Sequence, residues 1–261
     1  MLRILLSLAA LALCGPASGQ TNSTAPPRYE LTVALFPSDT GVVAQRIEIE
    51  VRPGIPFSVR TQDATHKRYE VTGTLHQRSK RAFELDPFKG EVLDAHGSRL
   101  YTVRGPAALK LGQAEGASAI GFGWGDSILL TNTLGGGGAE ELDTMSSDVT
   151  SSARYRLTVS FCLNFALRHP IERIELGVRA GLPFSVRVVD NAGGTFEVEG
   201  TLREKASGAL EFKPLKTEVR GRGAGLQLLS GGPQEVKLGQ FDAGGAIPLG
   251  WTIGTLLTKK Q

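Results

Sequence analysis

Apolar and polar residues alternate along most of this chain, and the alternation has a period of two residues. The clearest example is the segment 46–52, where Ile47, Ile49 and Val51 are separated by charged residues. This period places successive side chains on opposite faces of a β-strand, so that one face is buried and the other is solvated. Comparable strands are predicted throughout, with turn residues at intervals of roughly 8–12 positions, which favours an antiparallel sandwich or barrel.

The strand pattern occurs twice in the sequence. The segment 29–33 returns as residues 155–159, and residues 46–130 then align with residues 173–257 without a gap. Of these 85 aligned pairs, 35 are identical, whereas unrelated sequences would agree at roughly one pair in fifteen to twenty. The chain is therefore predicted to be all-β, with two tandem homologous antiparallel β-sandwich-like (or barrel-like) domains.

Five parts of the chain are predicted from these patterns. Residues 133–153 contain four consecutive glycines, several acidic side chains and no apolar periodicity, which is typical of a flexible linker. The parts are a signal peptide at 1–19, a flexible lead at 20–27, a first β repeat at 28–132, a Gly-rich acidic linker at 133–153 and a second β repeat at 154–261.

The N-terminal segment has the features of an export signal. Arg3 precedes an apolar run at 4–13 that is too short to span a bilayer, and residues 17–19 offer a cleavage site. A lipoprotein signal would have a small residue before the lipidated cysteine, so Leu13 argues against lipid anchoring through Cys14. No later segment is apolar enough to span a membrane. We therefore expect an exported protein that is periplasmic, outer-envelope-associated or secreted.

Composition and spacing indicate little catalytic chemistry. A formal charge of +3 in 261 residues is nearly balanced, so nucleic acid is not an expected partner. Removal of the signal peptide would leave Cys162 as the only thiol, and no intramolecular disulfide could form. The four histidines do not form a metal-binding pair, and no Gly-x-Ser-x-Gly elbow is present. We predict no catalytic residue, cofactor or metal.

The most closely repeated segment is 51–60, which returns as 178–187. Each copy predicts a strand, a turn centred on Gly54 or Gly181, and a returning strand, which together make a β-hairpin. Its arginines exceed what a hairpin requires. The two tryptophans are predicted either as core residues or as stacking platforms for a ligand. The candidate binding residues are Arg52, Arg60, Trp124, Arg179, Arg187 and Trp251.

Three functions are compatible with these observations. The leading hypothesis is an exported non-enzymatic β-repeat protein with a structural or binding role in the cell envelope. The first alternative is a carbohydrate- or peptide-binding module that uses the tryptophans and arginines of both repeats. The second is a hydrolase whose catalytic residues are scattered along the chain. The partner is unknown, and an envelope protein or polysaccharide is the expected kind.

Overall fold

A computed structural model of the chain describes residues 27–37, 43–119, 124–132, 154–163, 170–221, 226–232, 234–244 and 251–259. The predicted signal peptide at 1–19, most of the lead at 20–27 and the predicted linker at 133–153 lie outside these residues. The described residues form 17 β-strands and no helix. The predicted all-β class is confirmed.

The first repeat contributes eight strands. They are β1 (Tyr29–Pro37), β2 (Gln45–Val51), β3 (Pro56–Asp63), β4 (Arg68–Gln77), β5 (Ala82–Leu93), β6 (Arg99–Lys110), β7 (Ala114–Ala119) and β8 (Trp124–Asn132). The second repeat contributes nine strands. They are β9 (Arg154–Leu163), β10 (Glu172–Arg179), β11 (Pro183–Asp190), β12 (Thr195–Glu204), β13 (Leu210–Arg220), β14 (Leu226–Ser230), β15 (Gln234–Val236), β16 (Phe241–Gly244) and β17 (Trp251–Lys259).

These strands form two antiparallel sheets, and each sheet contains strands of both repeats. Sheet A has the order β14-β13-β12-β11-β2-β1-β8-β7, with β15 also paired to β13. Sheet B has the order β16-β17-β9-β10-β3-β4-β5-β6. Exchanging equivalent strands of the two repeats converts one order into the other. The described part of the molecule therefore has approximate two-fold symmetry.

Within each repeat the two sheets pack face to face. In the first repeat, the ring of Tyr29 in sheet A lies 4.8 Å from that of Phe83 in sheet B. In the second, the ring of Phe161 in sheet B lies 5.3 Å from that of Phe196 in sheet A. The inward positions of the alternating strands supply these contacts, as in β1, where Leu31, Val33 and Leu35 are fully buried. Each repeat is thus a sandwich-like unit.

The predicted hairpin is wrong in one respect, because its two strands do not pair with each other. The turn forms as predicted: Ile55 N donates to Arg52 O at 3.1 Å, and Gly54 has a φ of +76°. However, this turn carries the chain from β2 in sheet A to β3 in sheet B. The equivalent turn at Gly181 carries it from β10 in sheet B to β11 in sheet A.

The strands next to these turns join the two repeats. β2 pairs with β11 over five residue pairs, and β10 pairs with β3 over another five. Each repeat thereby covers two strand edges that the other would leave exposed, which removes a site for uncontrolled pairing. Both sheets run without interruption from one repeat to the other. Among the described residues, no helix has the length and apolar character needed to cross a membrane.

Candidate functional site at the junction of the repeats

Charged residues shared by both copies form ion pairs across the junction in sheet B. On the outer face of this sheet, Arg60 of β3 lies between two carboxylates. Its Nη2 is 3.3 Å from Glu70 Oε2 in the same repeat, and its Nη1 is 3.5 Å from Glu175 Oε2 in the second repeat. Sequence analysis identified Arg60 but did not indicate a partner for it in the second repeat.

The same arrangement occurs in sheet A with the roles of the repeats exchanged. Arg187 Nη2 is 3.3 Å from Glu197 Oε2 of its own repeat, and Nη1 is 3.2 Å from Glu48 Oε2 of the first repeat. Burial alone would lower the pKa of Arg187, but the charges of Glu197 and Glu48 outweigh it and raise that pKa. Arg60 and Arg187 therefore bridge the repeats from opposite layers.

Arg52 and Arg179 line a small cleft between the two crossing turns. The cleft has a volume of about 70 Å³, and equivalent residues of the two copies, 49–59 and 176–186, form its walls. Arg52 is 9% exposed, and its Nη2 is 3.2 Å from Glu50 Oε1. A cleft of this volume holds only a few water molecules. The structure thus places these two arginines together, away from Arg60 and Arg187.

Trp124 and Trp251 occupy the cores of the two sandwich-like units. Each indole is only 8% exposed. Trp124 packs edge to face on Tyr69 at 6.4 Å, and Trp251 packs on Phe196 at 6.3 Å, which is the equivalent contact in the second repeat. A stacking platform needs an exposed ring face, so this geometry supports the core interpretation of both residues.

A polar cluster lies between the sheets where Gln45 and Glu172 meet. These residues occupy the same position in the two copies, and Gln45 Nε2 donates to Glu172 Oε1 at 3.4 Å. Gln45 also donates to Thr61 Oγ1 at 3.3 Å, and all three side chains are almost fully buried. Burial raises the pKa of Glu172 well above its usual range; the charges of Asp63 and Asp190 add to this shift, and the hydrogen bond from Gln45 opposes it.

A second buried carboxyl group is present in the first repeat only. Tyr101 in sheet B donates a hydrogen bond to Asp126 Oδ1 in sheet A. Burial raises the pKa of Asp126, and the hydrogen bond from Tyr101 opposes that shift. At the equivalent positions the second repeat has Leu228 and Ile253. This pair fixes the two layers of the first repeat to each other, and alternation alone did not reveal it.

Sequence analysis also missed a hollow on the outer face of sheet B. It has a volume of about 320 Å³ and is lined by Arg60, Thr61, Gln62, Arg68, Ala95, Arg173 and Glu175. Strand pairing brings these side chains together, since Arg173 is opposite Gln62, and Gln62 is opposite Arg68. The sequence did contain one indication of this hollow, since the positively charged Arg68 occupies the position where the second copy has Thr195.

The part of the chain that the structure describes contains no group of three or more His, Cys, Asp or Glu side chains that could hold a metal ion. Cys162 is buried and unpaired, and burial raises the pKa of its thiol, which disfavours the reactive thiolate. His76 Nε2 of β4 donates a hydrogen bond to the backbone oxygen of Asp86 in β5, 2.8 Å away.

The candidate site is therefore a junction with ion pairs on both outer faces, a polar cluster inside and an arginine-lined hollow on sheet B. Comparison with known proteins adds no family to this description. No protein-family model matches the chain, and a search of curated proteins finds no match.

Proposed function

We propose that this chain is an exported, non-enzymatic protein with a structural or binding role in the cell envelope. The observation that carries the proposal is that charged residues shared by both copies form ion pairs between the repeats. Arg60 and Arg187, which both copies retain, make equivalent ion pairs across the junction. Their retention is then explained by the assembly of one continuous two-layered body rather than by reaction chemistry.

The continuity of both sheets supports a structural role. Force or load applied to one repeat would pass to the other through ten backbone residue pairs, five in each sheet. Two units joined by a linker alone would move independently of each other. A rigid body of this kind is suited to holding partners at a fixed separation.

The compartment is tested by expressing the full chain and a variant that lacks residues 1–19 in a bacterial host. We expect the full chain in the periplasmic or membrane-associated fraction, shortened at its N-terminus as measured by intact mass, and the truncated variant in the cytoplasm. Retention of the unprocessed full chain in the cytoplasm would overturn the proposed export.

A binding module is the second candidate, and the arginine-lined hollow on sheet B favours it. The tryptophans do not support this candidate, since both are buried. Cross-linking of the exported chain in intact cells, followed by purification, tests for an envelope protein or polysaccharide. Recovery of one species by the wild type but not by an Arg68→Thr variant would favour binding at the hollow over a purely structural role.

A further inference from the structure

The outer face of sheet B carries an arrangement of arginines that the equivalent face of sheet A lacks. Arg173 of β10, Gln62 of β3 and Arg68 of β4 are directly opposite one another across three adjacent strands. Neighbouring strands are about 4.8 Å apart, so the backbones of the two arginines are separated by roughly 10 Å. Long guanidinium side chains can converge from this separation on a single group above Gln62.

These two arginines differ from the others at the junction in their partners. Among the described residues, neither Arg68 nor Arg173 has a carboxylate within 4.0 Å, whereas Arg60 has two. Arg173 Nε is buried and makes no hydrogen bond to any described residue. A buried donor without a partner is costly, and native proteins contain few of them. No described residue therefore satisfies Arg173 at this atom, and the rest of the side chain lines the hollow.

The position of Arg68 is also supported by its surroundings. Its Nη2 lies against Gly97, where an added Cβ would come within 2.8 Å of it. Gly97 has a φ of +87°, and its loop is held by Asp94 Oδ1, which accepts hydrogen bonds from His96 N and Ser98 N. The loop lets the guanidinium lie along the rim of the hollow.

The equivalent place on sheet A lacks this pair of arginines. The residue equivalent to Arg173 is Arg46, whose Nε is 3.1 Å from Glu48 Oε1. Val189 and Thr195 replace Gln62 and Arg68. At a different position on this face, a smaller hollow of about 80 Å³ is lined by four glutamates and one arginine: Glu30, Glu48, Glu50, Glu197 and Arg187, together with Ile49 and Ser185.

We propose that the hollow on sheet B binds an oxyanion, a phosphate or carboxylate group, held over Gln62 between Arg68 and Arg173. Guanidinium groups bind such anions through paired charge-assisted hydrogen bonds. Gln62 Nε2 is 3.4 Å from His66 Nδ1, and its second N–H adds a donor between the two arginines. The site gives the binding role a ligand class and rests on that part of the proposed function. It does not depend on the compartment.

The test is a titration of the purified full-length protein, labelled with ¹⁵N, with inorganic phosphate at constant ionic strength. We expect saturable shifts centred on Gln62, Arg68 and Arg173. Loss of one paired charge-assisted contact should weaken binding about tenfold in Arg173→Gln and in Arg68→Thr. Thr is the residue of the second copy at this position, which makes Arg68→Thr compatible with the fold.

Arg46→Gln is the matched control, because it removes the equivalent arginine from sheet A. We expect its phosphate affinity to stay within twofold of the wild type. Equal weakening of binding by Arg46→Gln and Arg173→Gln would overturn the site. A parallel titration with glucuronate separates the two ligand sources: preference for phosphate or for carboxylate identifies the group, and binding of neither overturns the proposal.

The acidic face of a second copy is the competing occupant, and sedimentation velocity tests it. We expect a monomer with and without phosphate. Concentration-dependent association that phosphate reverses, and that Arg68→Thr abolishes, would assign the hollow to self-association and overturn the small-anion site. All of these measurements use purified protein, so the site can fail while export and the structural role still hold.

Discussion

The outer faces of sheets A and B share one ion-pair arrangement and differ in what surrounds it. Glu48, Arg187 and Glu197 on sheet A correspond to Glu175, Arg60 and Glu70 on sheet B, with the same partners and similar distances. Around them, four positions change charge between the copies. The changed pairs are Glu30 and Arg156, Glu50 and Gly177, Thr195 and Arg68, and Glu199 and Thr72.

This difference separates what builds the fold from what distinguishes the two faces. The two sets of three ion-paired residues, which we call the retained triads, lie across the strands that join the repeats. Both copies need them for the contact between β2 and β11 or between β3 and β10. The changed positions are outside those contacts, and they make one face acidic and the other basic. Of the six candidate residues, Arg60 and Arg187 belong to the first group, while the unpredicted Arg68 belongs to the second.

The largest expected effect comes from removing buried side-chain volume at the junction of the repeats. Ile47 of β2 and Ile174 of β10 are equivalent and fully buried. Replacing either by Ala should cost about 2–5 kcal/mol of unfolding free energy, since it removes buried methyl groups and leaves a cavity. Because both sheets continue through these strands, we expect the loss to destabilise both repeats, in a single transition.

The two tryptophans allow this prediction to be measured repeat by repeat. Trp251→Phe leaves a fluorescence probe in the first repeat, and Trp124→Phe leaves one in the second. In each background, urea unfolding of Ile47→Ala should shift the midpoint equally for both probes. A shift seen by Trp124 but not by Trp251 would mean that the repeats unfold independently and that the junction contributes little.

The comparison also explains which parts of the fold were predictable. Alternation identified the strands, because the period of burial is a local property of the sequence. The partners of β2 and β3 were not predictable, because β3 and β11 both contain the same segment Phe-Ser-Val-Arg. A local pattern cannot indicate whether β2 pairs with β3 of its own repeat or with β11 of the other. The observed pairing covers strand edges that would otherwise be exposed in both repeats.

The next effect concerns the buried pair Gln45 and Glu172, equivalent positions at which the copies differ only in an amide and a carboxyl group. Burial raises the pKa of Glu172, which accepts a hydrogen bond from Gln45, and the charges of Asp63 and Asp190 raise it further. Above about pH 4.3, the unfolded chain loses this proton while the folded protein retains it. Each rise in pH therefore favours unfolding, up to the raised pKa of the folded state.

Glu172→Gln should remove this dependence and make positions 45 and 172 identical. The stability of the wild type relative to the variant should fall with pH by about 1.4 kcal/mol per unit within that window. Urea unfolding between pH 4.5 and 8 measures the difference, and the subtraction cancels other groups such as Asp126. Parallel profiles for the two proteins would show that Glu172 is ionised in the folded state.

The candidate site was predictable only where the copies agree. Arg60 and Arg187 were found by their retention, but their partners were not, since each reaches a glutamate of the other repeat. The hollow on sheet B depends on Gln62, Arg68 and Arg173, which come from strands of both repeats. Comparing the copies position by position marks Arg68 as a change, but only strand pairing places it opposite Gln62 and near Arg173.

The smallest expected effect tests whether the two retained triads are equivalent. Arg60 and Arg187 are partly exposed, with 38% and 47% of their side chains accessible, so solvent screens their ion pairs. Double-mutant cycles of Arg60→Met with Glu175→Gln, and of Arg187→Met with Glu48→Gln, should each give a coupling of about 0.5 kcal/mol. Both couplings should decrease in 1 M salt. Equal values would support a shared role in joining the repeats. A coupling confined to sheet A would instead mean that the Arg60–Glu175 pair does not help to join the repeats.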